Sequence, residues 1–190
     1  MSLEPSSDNS FTDVSYPLET LSNGLIIEHK LGRDLNETDV KDVKTFLSNE
    51  LMLSKQPGLD HDEVSRRLNS TFNNSFAIDL FGLAMKDYPV SIITLIREQK
   101  HSIVGTCTTI ITKEHGIKIG KLSQMGLGHN FQHKNVGPEI LIKHIQILKS
   151  EGVSRIHTRT WEDSRRMLDK TGIHYTQDYD DPDGLTIQLT

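Results

Sequence analysis

The chain has 190 residues, of which 35% are hydrophobic and 25% charged, and this composition suits a soluble globular protein with a substantial core. Its formal net charge of −5 argues against a general nucleic-acid-binding protein, because phosphate contacts need a basic surface. Cys107 is the single cysteine, which excludes an internal disulfide and is typical of a reducing compartment. No apolar run approaches the roughly 20 residues that span a bilayer. We therefore expect a cytoplasmic protein without nucleic-acid or membrane partners.

The N-terminal stretch differs in composition from the rest of the chain. Residues 1–17 are rich in Ser, Asp and Asn, which predicts a mobile arm or a loosely attached edge. No linker or internal repeat divides the remainder of the chain, so residues 18–190 are expected to form a single domain. Its first predicted strand is the apolar stretch Gly24–Leu31.

Two amphipathic helices are predicted next. Asn36 and Asp39 have the spacing of a helix N-cap and its partner, and apolar residues recur after them at helical intervals. Asp60 and Glu63 repeat that spacing before a second helix that runs to about Phe72.

The middle of the chain is rich in β-branched residues, which favour strands. Short polar turns separate three such runs, so antiparallel hairpins are expected. The predicted strands are Val90–Arg97, Ser102–Thr112 and Ile117–Leu127. The stretch Ile78–Met85 fits either a further strand or a short helix.

A polar loop connects the last of these strands to a predicted helix, Pro138–Ser150. Proline fits the first helical position, because its missing N–H would have no partner there anyway. The first N–H groups of a helix lack intrahelical acceptors, and the helix dipole places partial positive charge beside them. The loop and the helix start therefore predict an anion site.

The C-terminal part continues the alternation of strands and helices. A strand is predicted at Arg155–Thr160 and a helix at Glu162–Lys170, with Gly172 as its stop. A closing hairpin is expected from Tyr175–Tyr179 and Leu185–Leu189. The predicted order is strand, two helices, three-strand meander, helix, strand, helix and hairpin.

The polar loop resembles the acyl-CoA-binding motif of the GNAT superfamily of N-acyltransferases, Gln/Arg-x-x-Gly-x-Gly/Ala between a strand and a helix. Gln132, Asn135 and Gly137 occupy its three fixed positions. Asn135 replaces the usual glycine, and Asn is the non-glycine residue that best tolerates positive φ. The order of elements over about residues 24–189 is also similar to that family. The resemblance implies an α/β fold whose mixed sheet has about seven strands, with helices on both faces.

The resemblance also implies a function, the transfer of an acyl group from acetyl-CoA, or another acyl-CoA, to a primary amine of a small molecule or peptide. In that family the strands on either side of the motif helix part, and the pantetheine arm lies in the gap. A nest of backbone N–H groups would hold the diphosphate. The cofactor-binding residues so implied are Met125, Leu127, Gln132, His133, Lys134, Asn135, Val136, Gly137 and Pro138.

Acyl transfer to an amine needs a base for the amine proton and an acid for the departing thiolate. The tyrosine that often serves as the acid in GNAT enzymes is replaced here by Leu168, counting back from the glycine that ends the helix. Three other catalytic candidates remain in the sequence. They are His129 at the end of a strand, Tyr175 just past a helix, and Ser123 within a strand.

Two further side chains, His157 and Arg159, alternate on one face of their strand. They either line the pocket of the acceptor amine or face solvent. The acidic tract between residues 178 and 183 lacks the bidentate Glu that closes a calcium loop, and no zinc pattern is present, so no metal is expected.

The missing tyrosine keeps other functions open. One is a non-catalytic acyl-CoA-binding or regulatory module on the same fold, and another is a protein-interaction module whose CoA site has decayed. The loop also fits an ordinary strand-to-helix connection in which Gly137 merely relieves crowding. The oligomeric state is open as well, a homodimer included.

Overall fold

The computed structural model contains one mixed sheet flanked by helices. It describes residues 15–47, 90–98, 102–132, 134–159 and 162–189. The predicted second helix and the ambiguous stretch Ile78–Met85 lie outside these ranges. The described strands are β1 Glu19–Thr20, β2 Ile26–Leu31, β3 Val90–Glu98, β4 Ser102–Glu114, β5 Ile117–Leu127, β6 Val153–Arg159, β7 Tyr175–Gln177 and β8 Gly184–Gln188. The described helices are α1 Glu37–Phe46, α2 Val136–Ser150 and α3 Glu162–Thr171.

The described strands form one eight-stranded sheet in the order β1-β2-β3-β4-β5-β6-β8-β7. Neighbouring strands are antiparallel except β5 and β6, which are parallel because α2 forms a crossover between them. The prediction of a mixed sheet with a three-strand meander is confirmed. The additional strand is β1, whose two residues are too few to produce a sequence pattern.

The helix α1 begins with the capping box that the sequence predicts. The Asn36 side chain accepts a hydrogen bond from the Asp39 N–H at 2.8 Å, and Asp39 Oδ2 accepts one from the Asn36 N–H at 3.3 Å. Val43 of α1 is buried in one cluster with Ile93 and Leu95 of β3. We call this side of the sheet the α1 face.

The opposite side, the α2–α3 face, carries the larger core. Leu141 of α2 and Leu168 of α3 are buried in one cluster with Ile92 and Ile111 of the sheet. Helices thus cover both faces, as predicted. The start of α2 is a correction, because the helix begins at Val136 rather than at Pro138. Pro138 is therefore the third helical residue, where its missing N–H still has no intrahelical acceptor.

A buried polar network fixes α2 on the sheet. His144 of α2 has its Nδ1 2.7 Å from Thr94 Oγ1 and its Nε2 2.8 Å from Thr109 Oγ1. His29 Nδ1 lies 2.7 Å from the same Thr94 oxygen. Burial lowers the pKa of His144 to about 3 and that of His29 to about 4, so both rings are neutral in the folded protein. The network holds α2 at a defined position relative to β2, β3 and β4.

The end of the predicted N-terminal arm contacts the domain. Of residues 1–17 the structure describes 15–17, and the Tyr16 hydroxyl donates a hydrogen bond to Glu151 Oε1 at 2.8 Å. Burial, followed by this contact with Glu151, raises the pKa of Tyr16. The division into an arm and a single domain stays a prediction. Within the described residues, no helix combines the length and apolar character that crossing a membrane requires.

Candidate functional site

The sheet opens between β5 and β6. These parallel strands pair from Lys118 with Val153 as far as Leu122 with Thr158. Beyond that point β5 continues to Leu127 while remaining paired with β4 on its other side. Residues 123–127 therefore have one backbone edge without a strand partner among the described residues. An edge of this kind can pair with an extended ligand as an added strand would.

A β-bulge explains why the two strands part at this position. Thr108 of β4 lies opposite Gln124, whereas the next residue, Thr109, lies opposite Leu122, so Ser123 is the additional residue. A bulge bends its strand and increases the local twist, which directs the end of β5 away from β6. The Ser123 hydroxyl donates to the Thr108 carbonyl at 3.3 Å, within the bulge itself.

The loop after β5 is held close to the strand end. Residues 129–131 form one turn of 3₁₀ helix, and the Gln132 side chain donates from Nε2 to the Leu127 carbonyl at 2.9 Å. Asn135 has φ 59° and ψ 16°, in the left-handed region, and it is the N-cap of α2. The backbone at Asn135 thus has a conformation that ordinarily favours glycine, which asparagine tolerates at small cost. His133 lies outside the described residues.

The start of α2 presents backbone N–H groups that could donate to a ligand. No backbone hydrogen bond formed by the described residues outside regular helix pairing uses the N–H groups of Asn135, Val136 or Gly137. The first helical N–H groups have no intrahelical acceptor, and the helix dipole makes this end partly positive. These donors and the open edge of β5 lie at the two ends of one loop.

Two lysines lie beside these donors. Lys134 is exposed in the loop, with its Nζ 5.7 Å from the centroid of the Phe131 ring. Lys170 reaches from the end of α3, where its Nζ lies 3.4 Å from Asn135 Oδ1. The sequence indicated Lys170 only as the last residue of a predicted helix, because its position beside α2 depends on how the two helices pack. The cationic groups of Lys134 and Lys170 would favour an anion at the start of α2.

Gly137 also has a packing role. A Cβ at this position would lie 2.9 Å from Met167 Sδ of α3 and 3.8 Å from a methyl group of Leu127. The close approach of α3 to the first turn of α2 therefore requires a residue without a side chain. Since packing alone accounts for this glycine, the case for a ligand rests on the β5 edge and on the N–H groups of the helix start, for which the described residues supply no backbone partner.

The three predicted catalytic residues do not come together. Ser123 forms the bulge at the split, and His129 is exposed on the 3₁₀ turn that follows β5. Tyr175 lies on the edge strand β7, three strand spacings or roughly 14 Å from β5. Its hydroxyl donates to Asp169 Oδ1 at 2.6 Å, and that hydrogen bond is the main reason that the pKa of Tyr175 is raised. Tyr175 is therefore separated from the split by β6 and β8.

Two buried positions lack the chemistry of an acid or a nucleophile. Leu168, at the family's acid position, is 1% exposed within the core and has no ionisable group. Cys107 is buried beneath α2, and burial raises the pKa of its thiol, so the thiolate needed for nucleophilic attack is disfavoured.

His157 and Arg159 lie on the α1 face of β6, as alternation with the core residue Ile156 requires. His157 Nδ1 lies 2.8 Å from Thr186 Oγ1 of β8. Arg159 is largely exposed and donates from Nε to Asp181 Oδ2 at 2.6 Å, which is the main cause of the lowered pKa of Asp181. In the described part of the chain, no cluster of three or more His, Cys, Asp or Glu residues could hold a metal ion.

Sequence comparison identifies no relative of this chain. No protein-family model matches the sequence, and no curated protein matches it. Solved structures do match, and many of them are acetyltransferases of the GNAT family.

Three of these structures illustrate the similarity. The PaiA N-acetyltransferase of Thermoplasma acidophilum, in complex with coenzyme A, superposes with a TM-score of 0.62 at 11% identity, over 85% of this chain and 98% of that one. A GNAT-family acetyltransferase from Staphylococcus aureus Mu50 gives a TM-score of 0.57 at 16% identity, over 86% and 99%. A predicted acetyltransferase of Clostridium acetobutylicum, with acetyl-CoA, gives 0.54 at 14% identity, over 80% and 93%. The protein therefore has the fold of the GNAT acetyltransferases.

Proposed function

We propose that the protein is an N-acyltransferase that moves an acyl group, in the simplest case acetyl, from acyl-CoA to a primary amine of a small molecule or peptide. The observation that carries this proposal is the edge of β5 beyond Leu122, which has no strand partner among the described residues. One short loop joins it to N–H groups at the start of α2 that form no backbone hydrogen bond with the described residues. The pantetheine amides of CoA would pair with that edge, and its diphosphate would accept hydrogen bonds from the helix start. Two structural neighbours were solved with coenzyme A or acetyl-CoA, which supports a CoA-derived co-substrate.

The two parts of the site would contact different parts of CoA. Met125 and Leu127 would contact the pantetheine arm through their backbone at the open edge. Backbone N–H groups from His133 to Gly137 would hold the diphosphate, because the Gln132 N–H already donates to the His129 carbonyl. Lys134 and Lys170 would add positive charge. His133, Asn135 and Val136 lie within this range, and the assigned residues Gln132 and Pro138 flank it.

The proposed chemistry depends mainly on proximity. Holding amine and thioester together in a fixed orientation turns a bimolecular reaction into one within a complex. A backbone N–H near Leu127 would donate to the thioester carbonyl and stabilise the oxyanion as the amine attacks. The amine nitrogen then bonds to the carbonyl carbon and loses a proton, and the carbon–sulfur bond breaks to release CoA thiolate, which takes up one proton to become the thiol.

The first test is thermal and chemical unfolding with and without acetyl-CoA. Ligand at 100 to 1,000 times its dissociation constant should stabilise the native state by about 3–4 kcal/mol. The double variant Lys134→Ala/Lys170→Ala should lose about tenfold in affinity, because it removes the two cations next to the helix start. Lys113→Ala, an exposed lysine on β4, is the matched control and should bind as the wild type does. Equal stabilisation of the double variant would contradict the placement of the diphosphate.

The second test is release of the CoA thiol across a panel of primary amines. Turnover that depends on an amine, with the acylated amine identified by mass, supports N-acyl transfer. A protein that is stabilised by acetyl-CoA yet acylates no amine would instead be the acyl-CoA-binding or regulatory module, which the buried Leu168 at the acid position favours. Absence of any stabilisation would contradict both functions. The cytoplasmic location, the absence of nucleic-acid and membrane partners and a homodimer stay predictions.

A further inference from the structure

Three side chains, two on neighbouring strands and one in the loop after β7, form a hydrogen-bonded chain on the α1 face. Thr186 of β8 donates from Oγ1 to Asp178 Oδ1 at 2.7 Å, and its Oγ1 lies 2.8 Å from His157 Nδ1 of β6. Thr186 is 8% exposed, so its hydroxyl exchanges little with solvent. The acyl-transfer site proposed above does not use this chain.

The proton positions in the chain follow from its chemistry. An ionised carboxylate can only accept hydrogen bonds, so the single hydroxyl proton of Thr186 is directed to Asp178. The Thr186 oxygen must then accept from His157, which places a proton on His157 Nδ1. In the neutral ring, Nε2 is consequently left with its lone pair available.

His157 lies at the split in the sheet. It is directly opposite Lys121 of β5, and the next pair, Leu122 with Thr158, is the last before the strands part. The Nε2 of His157 has no hydrogen-bond partner among the described residues. It is absent from the buried atoms that lack a partner, so it is not fully buried. The ring is also on the face opposite α2, so an amine could approach it from the side of the sheet away from the proposed diphosphate site.

We propose that His157 is the general base of the acyl transfer, with Thr186 and Asp178 as positioning residues. This inference rests on the proposed N-acyltransferase function. An N–H bond of the substrate ammonium breaks, and its proton passes to His157 Nε2. The free amine attacks the thioester carbonyl carbon, the carbon–sulfur bond breaks, and the thiolate takes the second nitrogen proton to become the CoA thiol. The imidazolium then returns its proton to solvent, so each turnover releases one proton.

The surroundings support the positioning role of Asp178. A Cβ at Gly184 would lie 2.7 Å from Asp178 Oδ2 and 3.0 Å from Asp181 Cβ, so glycine leaves room for this carboxylate. Arg159 is paired with Asp181 at 2.6 Å, which leaves Asp178 to accept from Thr186. The described charged groups facing this region are Lys121 of β5, Arg155 and Arg159 of β6, and Asp178 and Asp181 beside β7 and β8.

The kinetic test compares variants of His157, the proposed base, with variants of Thr186, which connects His157 to Asp178. His157→Gln should lower kcat/KM by about 10²–10⁴-fold, the usual range for a general base, and should remove the decline in rate at acidic pH. Thr186→Val should lower kcat/KM by about tenfold, whereas Thr186→Ser keeps the hydroxyl and should restore activity to within about twofold. His115→Asn is the matched control, because His115 is exposed in the turn at the far end of β5 and has a φ of 50° that asparagine tolerates.

A second readout does not need turnover. In long-range ¹H–¹⁵N spectra at neutral pH, His157 should carry its proton on Nδ1, and Thr186→Val should shift it toward Nε2 while Thr186→Ser should not. A wild-type ring with its proton on Nε2 would overturn the proposal whether or not the protein is active.

These outcomes distinguish the role of His157 from the acyltransferase function itself. Wild-type turnover that His157→Gln leaves unchanged, with the same pH profile, would overturn the role of His157 and leave the acyltransferase function standing. Loss of turnover in His157→Gln with unchanged stabilisation by acetyl-CoA would support it. A wild type that acylates no amine would overturn both.

Discussion

The buried histidines on and beneath α2 make a quantitative prediction about acid stability. His29 and His144 are 2% and 0% exposed, and burial lowers their pKa values to about 4 and about 3 from an ordinary 6.5. In the unfolded chain both rings take up protons as pH falls through about 6.5, whereas the folded protein resists protonation until its lower pKa values are reached. The unfolded state therefore binds more protons in this range, and stability falls with falling pH.

The size of the effect follows from these pKa values. At pH 5.0 an unfolded histidine lies about 1.5 pH units below its pKa, while either folded ring is still mostly neutral. Each histidine then contributes about 2 kcal/mol of lost stability relative to pH 8, and the pair about 4 kcal/mol. The loss starts near pH 6.5 and continues as pH falls toward the folded pKa values. For a domain of this size it is a large share of the total free energy of unfolding.

The assay is urea denaturation at a series of pH values between 8.0 and 5.0. His144→Gln retains a hydrogen-bonding side chain but does not titrate, so its stability should fall by about 2 kcal/mol less than that of the wild type over this range. His174→Gln, at an exposed histidine, is the control and should keep the wild-type pH dependence. Parallel curves for wild type and His144→Gln would refute the claim that a buried neutral ring at this position costs stability in acid.

Substitutions at two further positions test the elements that surround the site. Asp39→Asn should destabilise the protein by about 3 kcal/mol in urea denaturation, because the Asp39 carboxylate is nearly buried and accepts from Lys30 at 2.7 Å and Arg97 at 2.5 Å. A loss no larger than that of the exposed Asp183→Asn would contradict this account. Asn135→Gly should change stability by less than about 0.5 kcal/mol, whereas Asn135→Val should cost about 1–2 kcal/mol, because Asn135 has a left-handed backbone conformation that valine disfavours. Equal melting temperatures for the two variants would contradict this role of the backbone conformation.

Features that depend on neighbours in the chain were predictable from sequence. The capping residues Asn36 and Asp39 identify the start of α1, and the bounds of β5 are as predicted, Ile117–Leu127. Asn135 replaces the glycine usual at its position in the motif, and the tolerance of asparagine for positive φ matches the conformation found. In each case a residue type and its spacing determine the local backbone geometry.

Features that depend on contacts between distant residues were not predictable. The hydrogen-bonded chain joins His157 of β6, Thr186 of β8 and Asp178 in the loop after β7, and these residues meet only through the strand order β6-β8-β7. Lys170 reaches Asn135 only because α3 packs on α2, and Tyr175 is remote because β8 inserts between β6 and β7. Periodicity along a single segment contains no information about such placements.

The bulge at Ser123 allows a test that separates ligand binding from folding. Leu122, before the bulge, and Met125, after it, both pack on the α2–α3 face. Gln124 lies opposite Thr108 on the α1 face. Deleting Ser123 would therefore restore regular alternation without moving any core side chain to the wrong face.

The deletion removes the bend but keeps the core, so we expect a change in stability of within about 1 kcal/mol in the absence of ligand. Stabilisation by acetyl-CoA should fall from about 3 kcal/mol to less than about 1 kcal/mol, because a straightened β5 would run alongside β6 and close the gap. Ser123→Ala keeps the additional residue, and with it the bend, and should bind as the wild type does. Full stabilisation of the deletion variant by acetyl-CoA would mean that the opening between β5 and β6 is not where the pantetheine arm lies, and the proposed function would lose the observation that carries it.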